Sequence, residues 1–212
     1  MNRIDVLAGE VPVCNVLADV GCDHGNLAAL CLKTGKAKRV ILTDVSAPSL
    51  DKAKRLLADE IDDGRAVAVH CDGLSGVTEV PDVAVIAGMG GREITGILQR
   101  APFLPQTLVL SPHKNAPELR EYVASKYQIL RDYVITDGGK YYDVIVCVRG
   151  EDHLTEQEKQ FGRTNLYSKS PVFLQRIRQE QQEIQTYLQR NVSHENREKL
   201  LQRKKALEEV QK

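Results

Sequence analysis

Asp19-Val20-Gly21-Cys22-Asp23-His24-Gly25 is the stretch that decides the fold. An apolar run over 16–20 leads into it, and a helix-like run over 26–33 leads out. A strand that turns through glycines into a helix forms a cradle for a nucleotide-like cofactor. Gly21 and Gly25 lack a Cβ, so backbone N–H groups there can approach a ligand closely. The helix start adds unpaired donors and a partial positive charge.

Strand-like and helix-like runs alternate outward from this loop. Strands are expected over 15–19, 39–43, 65–70, 82–87 and 107–110, and helices over 49–59, 92–100 and 117–125. The strand at 82–87 is apolar without alternation, as a parallel strand covered on both faces should be. Two further strands, 127–136 and 141–148, flank Asp137-Gly138-Gly139-Lys140, a hairpin signal. Five strand–helix units followed by an antiparallel hairpin describe an α/β, Rossmann-like, mostly parallel seven-stranded sheet. In such a sheet ligands bind at the carboxyl ends of the strands. Gly21, Asp44, Asp72, Gly88 and Ser111 all follow strand candidates.

After residue 150 the chain becomes rich in Gln, Glu, Lys and Arg. Leu174, Ile177, Gln181, Ile184 and Leu188 fall at alternating steps of three and four, the spacing of a coiled coil. Asn191-Val192-Ser193 interrupts the run, and a second helix follows with Leu200, Lys204, Leu207 and Val210 or Gln211 on its seam. The expected organisation is a cofactor-binding domain over 1–150 and a helical coiled-coil hairpin over 151–212.

The 212-residue chain carries no net charge, with 29 basic and 29 acidic residues. Lys and Arg slightly outnumber Asp and Glu over 151–212, and the reverse holds before it, an asymmetry too small to prove a nucleic-acid partner. No apolar run reaches membrane-spanning length, and the N-terminus lacks the apolar core of a secretory signal. Five cysteines without a Cys-x-x-Cys pair argue against disulfides and structural zinc, and fit free thiols in a reducing cytoplasm. No metal and no membrane partner are expected. The oligomeric state stays open.

The chemistry lies in the loops. The sequence lacks Gly-x-Gly-x-x-Gly, because Asp23 holds the place of the middle glycine. A pyrophosphate disfavours a neighbouring carboxylate, whereas a cofactor with a positive centre and no phosphate tolerates Asp19 and Asp23. S-adenosyl-L-methionine is such a ligand. Asp44 ends the second strand and can accept from both ribose hydroxyls, or cap the following turn through Ser46. Asp72-Gly73 can meet an adenine edge, or form a common turn. Ala87-Gly88-Met89-Gly90-Gly91 suits the region beside the transferable methyl group, or a tight strand-to-helix turn.

Taken in order, Asp19–Gly25, the acid Asp44, Asp72-Gly73-Leu74, the run 86–91 and Gly139-Lys140-Tyr141-Tyr142-Asp143 resemble the bacterial tRNA (adenine-N1)-methyltransferases that modify adenine 22 in the D-arm. The similarity covers roughly 4–148 and continues weakly into the helical tail. It implies a class I methyl-donor domain, a helical C-terminal domain and a tRNA substrate. The Asn/Asp-Pro-Pro-aromatic tetrapeptide of many class I enzymes is absent. Asn26 stands where the family often has an aromatic, and Ser111-Pro112-His113-Lys114-Asn115 where it often has Gln-Pro-Asn. The resemblance implies a cofactor site of Asp19, Gly21, Cys22, Gly25, Asp44, Val45, Asp72, Gly73, Ala87, Gly88 and Met89. Gly90, Gly91, Ser111, His113 and Tyr142 then border the substrate.

Adenine N1 already has a lone pair, so most of the rate should come from alignment and exclusion of water. Asp23 and His24 are the candidates for stabilising the charge that develops, or for accepting a proton. Arg92, Lys114, Arg120, Lys140, Arg176, Arg178, Arg197, Arg203, Lys204 and Lys205 are candidates for phosphate contacts. Two rival readings share the fold: a methyltransferase for another RNA site, a small molecule or a protein, and a non-catalytic adaptor acting through its coiled coil.

Overall fold

The computed structural model describes residues 2–190 and 193–211. Helix α1 (Arg3–Glu10) precedes β1 (Cys14–Val20), α2 (Asn26–Lys33), β2 (Ala37–Asp44), α3 (Ala47–Leu56), α4 (Ala58–Asp62) and β3 (Ala66–His70). Then come β4 (Val83–Ala87), α5 (Gly91–Arg100), β5 (Thr107–Ser111), α6 (Ala116–Ala124), β6 (Tyr127–Asp137) and β7 (Lys140–Arg149). The seven strands lie in the order β3-β2-β1-β4-β5-β7-β6. β1 to β5 are parallel, and β7 runs antiparallel to both β5 and β6. The sheet thus grows outward from β1 in one direction and from β4 in the other, leaving a crevice between their carboxyl ends.

Both faces of the sheet are covered, which explains the unbroken apolar strands. Leu17, Leu42, Val85 and Val109 pack with α1, α2 and α3 on one face. Ala18, Ile41, Ile86, Leu108 and Leu110 pack with α5 and α6 on the other. All five cysteines are free thiols, four of them buried.

Three expectations change. The helix over 49–59 starts earlier and breaks at Leu57: Ser46 caps it by accepting from Ser49 N–H, a proline sits in its first turn, and α4 begins afterwards. β3 carries no helix behind it, because Asp72-Gly73, Gly76 and Pro81 punctuate the connection to β4. Four strand–helix units therefore stand where five were expected. Helix α1 was not anticipated, although Asn2 and Asp5 close a reciprocal capping box at its start.

Two short helices, α7 (Glu156–Phe161) and α8 (Arg163–Ser168), precede the long pair α9 (Pro171–Leu188) and α10 (His194–Gln211). Thr155 and Glu158 form a capping box for α7. Part of the expected seam is packed: Ile177, Ile184, Leu207 and Val210 are buried, with Leu188 and Leu200 beside them, whereas Leu174 lies outside this cluster and Phe173 is buried in it. The pair is antiparallel, with Glu180 bridging to Arg203 and Gln185 to Lys204. The helices do not associate only with each other, since Phe173 and Ile177 share a cluster with Val134 of β6 and Phe161 of α7. The interruption expected at 191–192 lies outside the described residues; Ser193 accepts from Arg197 N–H at the next helix start.

A buried ionic network joins this helical part to the sheet. Arg120 on α6, 1% exposed, donates to both oxygens of Asp132 at 2.7 and 2.9 Å and to Asp143 at 2.8 Å. Arg176 of α9 reaches the second oxygen of Asp143 at 3.0 Å. Burial alone works against the Arg120 charge, but the two carboxylates overcome it and hold the guanidinium protonated. Arg120 is therefore not available to RNA, correcting the expectation from sequence. Replacing it with methionine strands Asp132 in the core and leaves Asp143 to Arg176 alone, so Arg120→Met should lose about 3–5 kcal/mol in urea unfolding. A loss below about 1 kcal/mol would contradict the anchoring role of the network.

Candidate active site

The loop after β1 is shaped by backbone bonds before any ligand is considered. Gly21 and Cys22 N–H both donate to the Thr43 carbonyl, at 2.8 and 3.0 Å, and Gly25 N–H closes a turn onto Cys22. Gly21 and Gly25 both have positive φ, and so does Asp23, at 47°. A non-glycine residue held there is strained, a feature concentrated at functional sites. Asp44 holds it: one carboxylate oxygen accepts from Asp23 N–H at 3.0 Å and the other from Ser46 N–H at 2.8 Å. Asp44 therefore does cap its own turn. Each oxygen keeps a further lone pair for a ligand.

The loops after β4 and β5 are stitched together in the same manner. Gly88 N–H donates to Ser111, His113 N–H to Met89 and Gly91 N–H to Lys114. This places His113 against the glycine run.

Two clefts open at the β1/β4 crevice. The larger, about 380 Å³, is lined by Gly21, Asp23, Asp44, Val45, Asp72, Gly73, Ala87, Gly88, Met89 and His113. The smaller, about 120 Å³, is lined by Asp19, Gly21, Cys22, Asp23, His24, Asn26 and Ala87 among others. Thirteen of the site residues expected from sequence, together with Asn26, thus converge on one place. Gly25, Gly90, Gly91, Ser111 and Tyr142 do not line it. A Cβ on Gly25 would press on Ala53 of α3 and on Leu57 just after it, and one on Gly91 would strike the Asn115 carbonyl at 2.2 Å, so both serve close packing. Ser111 is fully buried beneath the loop. Tyr142 stands one layer back, its ring 5.7 Å from His113.

Sequence reasoning missed Arg3, Glu93 and Ile97 in the lining. It also missed Arg100, which donates to Asp72 at 2.8 Å and leaves the other Asp72 oxygen for a ligand. Ile97 and Arg100 follow helical spacing from Glu93, and the capping residues Asn2 and Asp5 mark the start of the Arg3 helix.

The acids differ in character. Asp23 and His24 are largely exposed, with 3.6 Å between His24 Nε2 and the Asp23 carboxylate and 3.4 Å between Nε2 and Lys52 Nζ. Asp19 is 6% exposed and accepts from Ala28 N–H at 3.3 Å. Burial pushes its carboxyl up to about 7, the Ala28 hydrogen bond opposing the rise and the Asp44 charge adding to it. An ionised Asp19 calls for a cation beside it, and a crevice with acids at 19, 23, 44 and 72 fits a positively charged nucleoside. Gly88 keeps the cleft open, since a Cβ there would meet nothing closer than 3.8 Å.

Comparison with known proteins settles the class. The family model TrmK, described as tRNA (adenine(22)-N(1))-methyltransferase, matches residues 17–212. The chain belongs to this family. It is 31% identical over 148 residues to a Mycoplasma pneumoniae protein named as a candidate tRNA methyltransferase, covering 68% of this chain and 70% of that one. It is 27% identical over 155 residues to the Bacillus subtilis tRNA (adenine(22)-N(1))-methyltransferase, covering 71% and 65%. A Streptococcus pneumoniae candidate tRNA (m1A22) methyltransferase, solved in complex with S-adenosyl-L-methionine, superposes with a TM-score of 0.90 at 27% identity over 99% of each chain. The TrmK-family protein described here transfers a methyl group from S-adenosyl-L-methionine to N1 of adenine 22 in tRNA. No helix among the described residues is long and apolar enough to cross a membrane.

The Asp19 environment makes a signed prediction. Its folded-state pKa lies above the ordinary value of 3.8, so ionising it inside the free protein costs stability. The cost is absent below about pH 4 and complete above about pH 7. Asp19→Asn should therefore raise the melting temperature of the free enzyme at pH 8 by roughly 5 °C or more, with the gain shrinking towards pH 4. Scanning fluorimetry at both pH values checks this. An equal gain at both would assign the effect to something other than ionisation.

Proposed function

We propose that the two clefts together receive the methyl donor, its adenosine in the larger and its methionine tail in the smaller, that the target base enters the larger beside Gly88 and His113, and that Asp23 stands at the junction of the clefts. The observation that carries this assignment is the set of residues common to both: Gly21, Asp23, Ala87 and Arg3 line each cleft. The free oxygen lone pairs of Asp44 suit the ribose hydroxyls, and Asp72 with Gly73 the adenine edge. Asp19 suits the ammonium group of the methionine tail. Cys22, Val45 and Met89 shape the walls. Gly88 and His113 line the side from which the target base enters, with Tyr142 behind His113.

S-adenosyl-L-methionine supplies an electrophilic methyl group on a sulfonium. The protein's part is alignment. Adenine N1 forms the new bond with its own lone pair as the carbon–sulfur bond breaks, and positive charge passes to the base. The Asp23 carboxylate offsets that charge across the junction. His24 Nε2 lies between Lys52 Nζ at 3.4 Å and the Asp23 carboxylate at 3.6 Å, so the imidazole ties the loop to α3.

An adenine within a helical arm must leave its stack to reach the cleft. We assign the phosphate contacts to Lys114, Lys140, Arg178, Arg197 and Lys205, all exposed. Arg92, Arg176, Arg203 and Lys204 are already engaged with Glu118, Asp143, Glu180 and Gln185. In this assignment residues 1–150 carry the chemistry and 151–212 present the helical arm to RNA. The tRNA substrate fits a cytoplasmic enzyme.

Asp44→Ala should weaken S-adenosyl-L-methionine binding roughly 10- to 100-fold by calorimetry, the loss of hydrogen bonds to a charged acceptor. Asp23→Asn should instead lower single-turnover methylation roughly tenfold or more while cofactor affinity stays within about threefold. If Asp23→Asn lowers affinity and rate together, Asp23 belongs to the cofactor subsite alone. Each exposed cation changed to Ala should reduce the slope of log Kd for tRNA against log salt by about 0.7–0.9 if it meets a phosphate. An unchanged slope removes that residue from the interface.

A further inference from the structure

Two side-chain nitrogens converge on the open side of Gly88. A Cβ placed there would lie 3.8 Å from Arg3 Nη2 and 3.8 Å from His113 Nε2. Gly88 and His113 are both exposed, so a macromolecular substrate can reach this spot. Arg3 and Asp23 line both clefts, whereas His113 lines only the larger one. His113 is also what the loop after β5 contributes to that lining. The imidazole therefore stands on the side of the crevice away from the smaller cleft, where the incoming base was placed above.

Its backbone is fixed before any base arrives. His113 N–H donates to the Met89 carbonyl at 2.9 Å, between the Gly88–Ser111 bond at 3.2 Å and the Gly91–Lys114 bond at 2.7 Å. The ring is backed by Tyr142, 5.7 Å away and tilted by 56°. Tyr142 is itself held by the Arg3 guanidinium, 4.6 Å from its ring centre, and Arg3 N–H is tied to Asp137 at 3.2 Å. The loop after β5 and the β6–β7 hairpin thus present the imidazole from two directions. A polar group held this way costs little reorganisation when it meets its partner.

We infer that His113 Nε2 accepts a hydrogen bond from the N6 amino group of the target adenine and so reads the base, an inference that rests on the entry side assigned above. When adenine N1 faces the methyl group, a side chain flanking the base meets either N6 or C2–H, and only N6 can hydrogen-bond. Arg3 can only donate, as can the amino group, so the two do not pair. An imidazole with its proton on Nδ1 accepts at Nε2. The bond strengthens during the reaction. As the methyl carbon leaves sulfur and joins N1, the base becomes cationic and its amino group a stronger donor, so Nε2 holds the transition state more tightly than the ground state. The proton stays on N6, and no base removes it. Guanine carries a proton on N1 and an oxygen in place of the amine, so it would set two acceptors against each other at Nε2.

A tRNA with unsubstituted purine in place of adenine 22 keeps the N1 lone pair and lacks only the amino group, so it isolates this contact. Single-turnover transfer of labelled methyl to the adenine and purine tRNAs, at saturating tRNA, compares the parent enzyme with His113→Ala and His113→Gln. The intrinsic difference in N1 reactivity is common to all three enzymes and cancels. His113→Ala should lower the adenine-over-purine rate ratio by roughly fivefold or more, while affinity for S-adenosyl-L-methionine stays within about threefold. His113→Gln, whose amide oxygen accepts, should keep part of the ratio. His113→Leu, which fills the space and cannot accept, takes the place of the alanine variant if circular dichroism shows that variant unfolded. An unchanged ratio overturns the inference; both rates falling together would leave the entry side in place, whereas lost cofactor affinity would overturn that as well. A ratio that falls in Asp23→Asn and not in His113→Ala overturns it in favour of Asp23 as the acceptor.

Discussion

A protonated guanidinium inside the protein is the constraint on which the rest hangs. Arg120 cannot stay in the core without Asp132 and Asp143, and those two carboxylates cannot stay there without it. The four-residue network including Arg176 therefore fixes α6, β6, β7 and α9 relative to one another. Gly162, between α7 and α8, lies so close that a Cβ would sit 2.7 Å from the Asp132 carboxylate, so the short helices are docked on the same charge. The β6–β7 hairpin set by this network carries Asp137 and Tyr142 to Arg3, which lines the crevice. A single buried charge cluster thus places the helical arm on one side and orders the edge of the catalytic site on the other.

The crevice follows a second electrostatic rule. Acids gather at the carboxyl ends of β1, β2 and β3, and they are not equivalent. Asp44 is satisfied by backbone N–H groups and pins the strained Asp23. Asp72 shares its charge with Arg100. Asp19 alone is nearly sealed from water with one backbone donor, and its carboxyl is pushed up to about 7. A site built this way is under electrostatic tension until a cation enters. That suits a sulfonium cofactor and excludes a pyrophosphate.

Much of this was legible along the chain. The loop 19–25 and helix α2 were read to the residue, because the strand, the glycines and the apolar helix face are consecutive. The parallel strands were legible because burial on both faces leaves an unbroken apolar run, and the hairpin because Gly138-Gly139 admits a two-residue turn. The long helices announced their seam by its period. The break at Leu57 and the short helices α7 and α8 were not legible, since five or six residues are too few to establish a helical period, and α1 went unread although Asn2 and Asp5 mark its start. The basic candidates were misjudged where a partner lay far off: Arg120 reads as a surface cation until Asp132 and Asp143 fold against it.

The sequence by itself determined the α/β class, the crevice loops and the sulfonium character of the cofactor. Each of these rests on periodicity or on charges only a few residues apart. The tertiary structure decided which acid is buried, which arginine is locked in the core and which one lines the crevice. Arg3 donates to a carboxylate 134 residues away and stacks on Tyr142. Burial and pairing are properties of the surroundings, and residues so distant become neighbours only when the sheet closes.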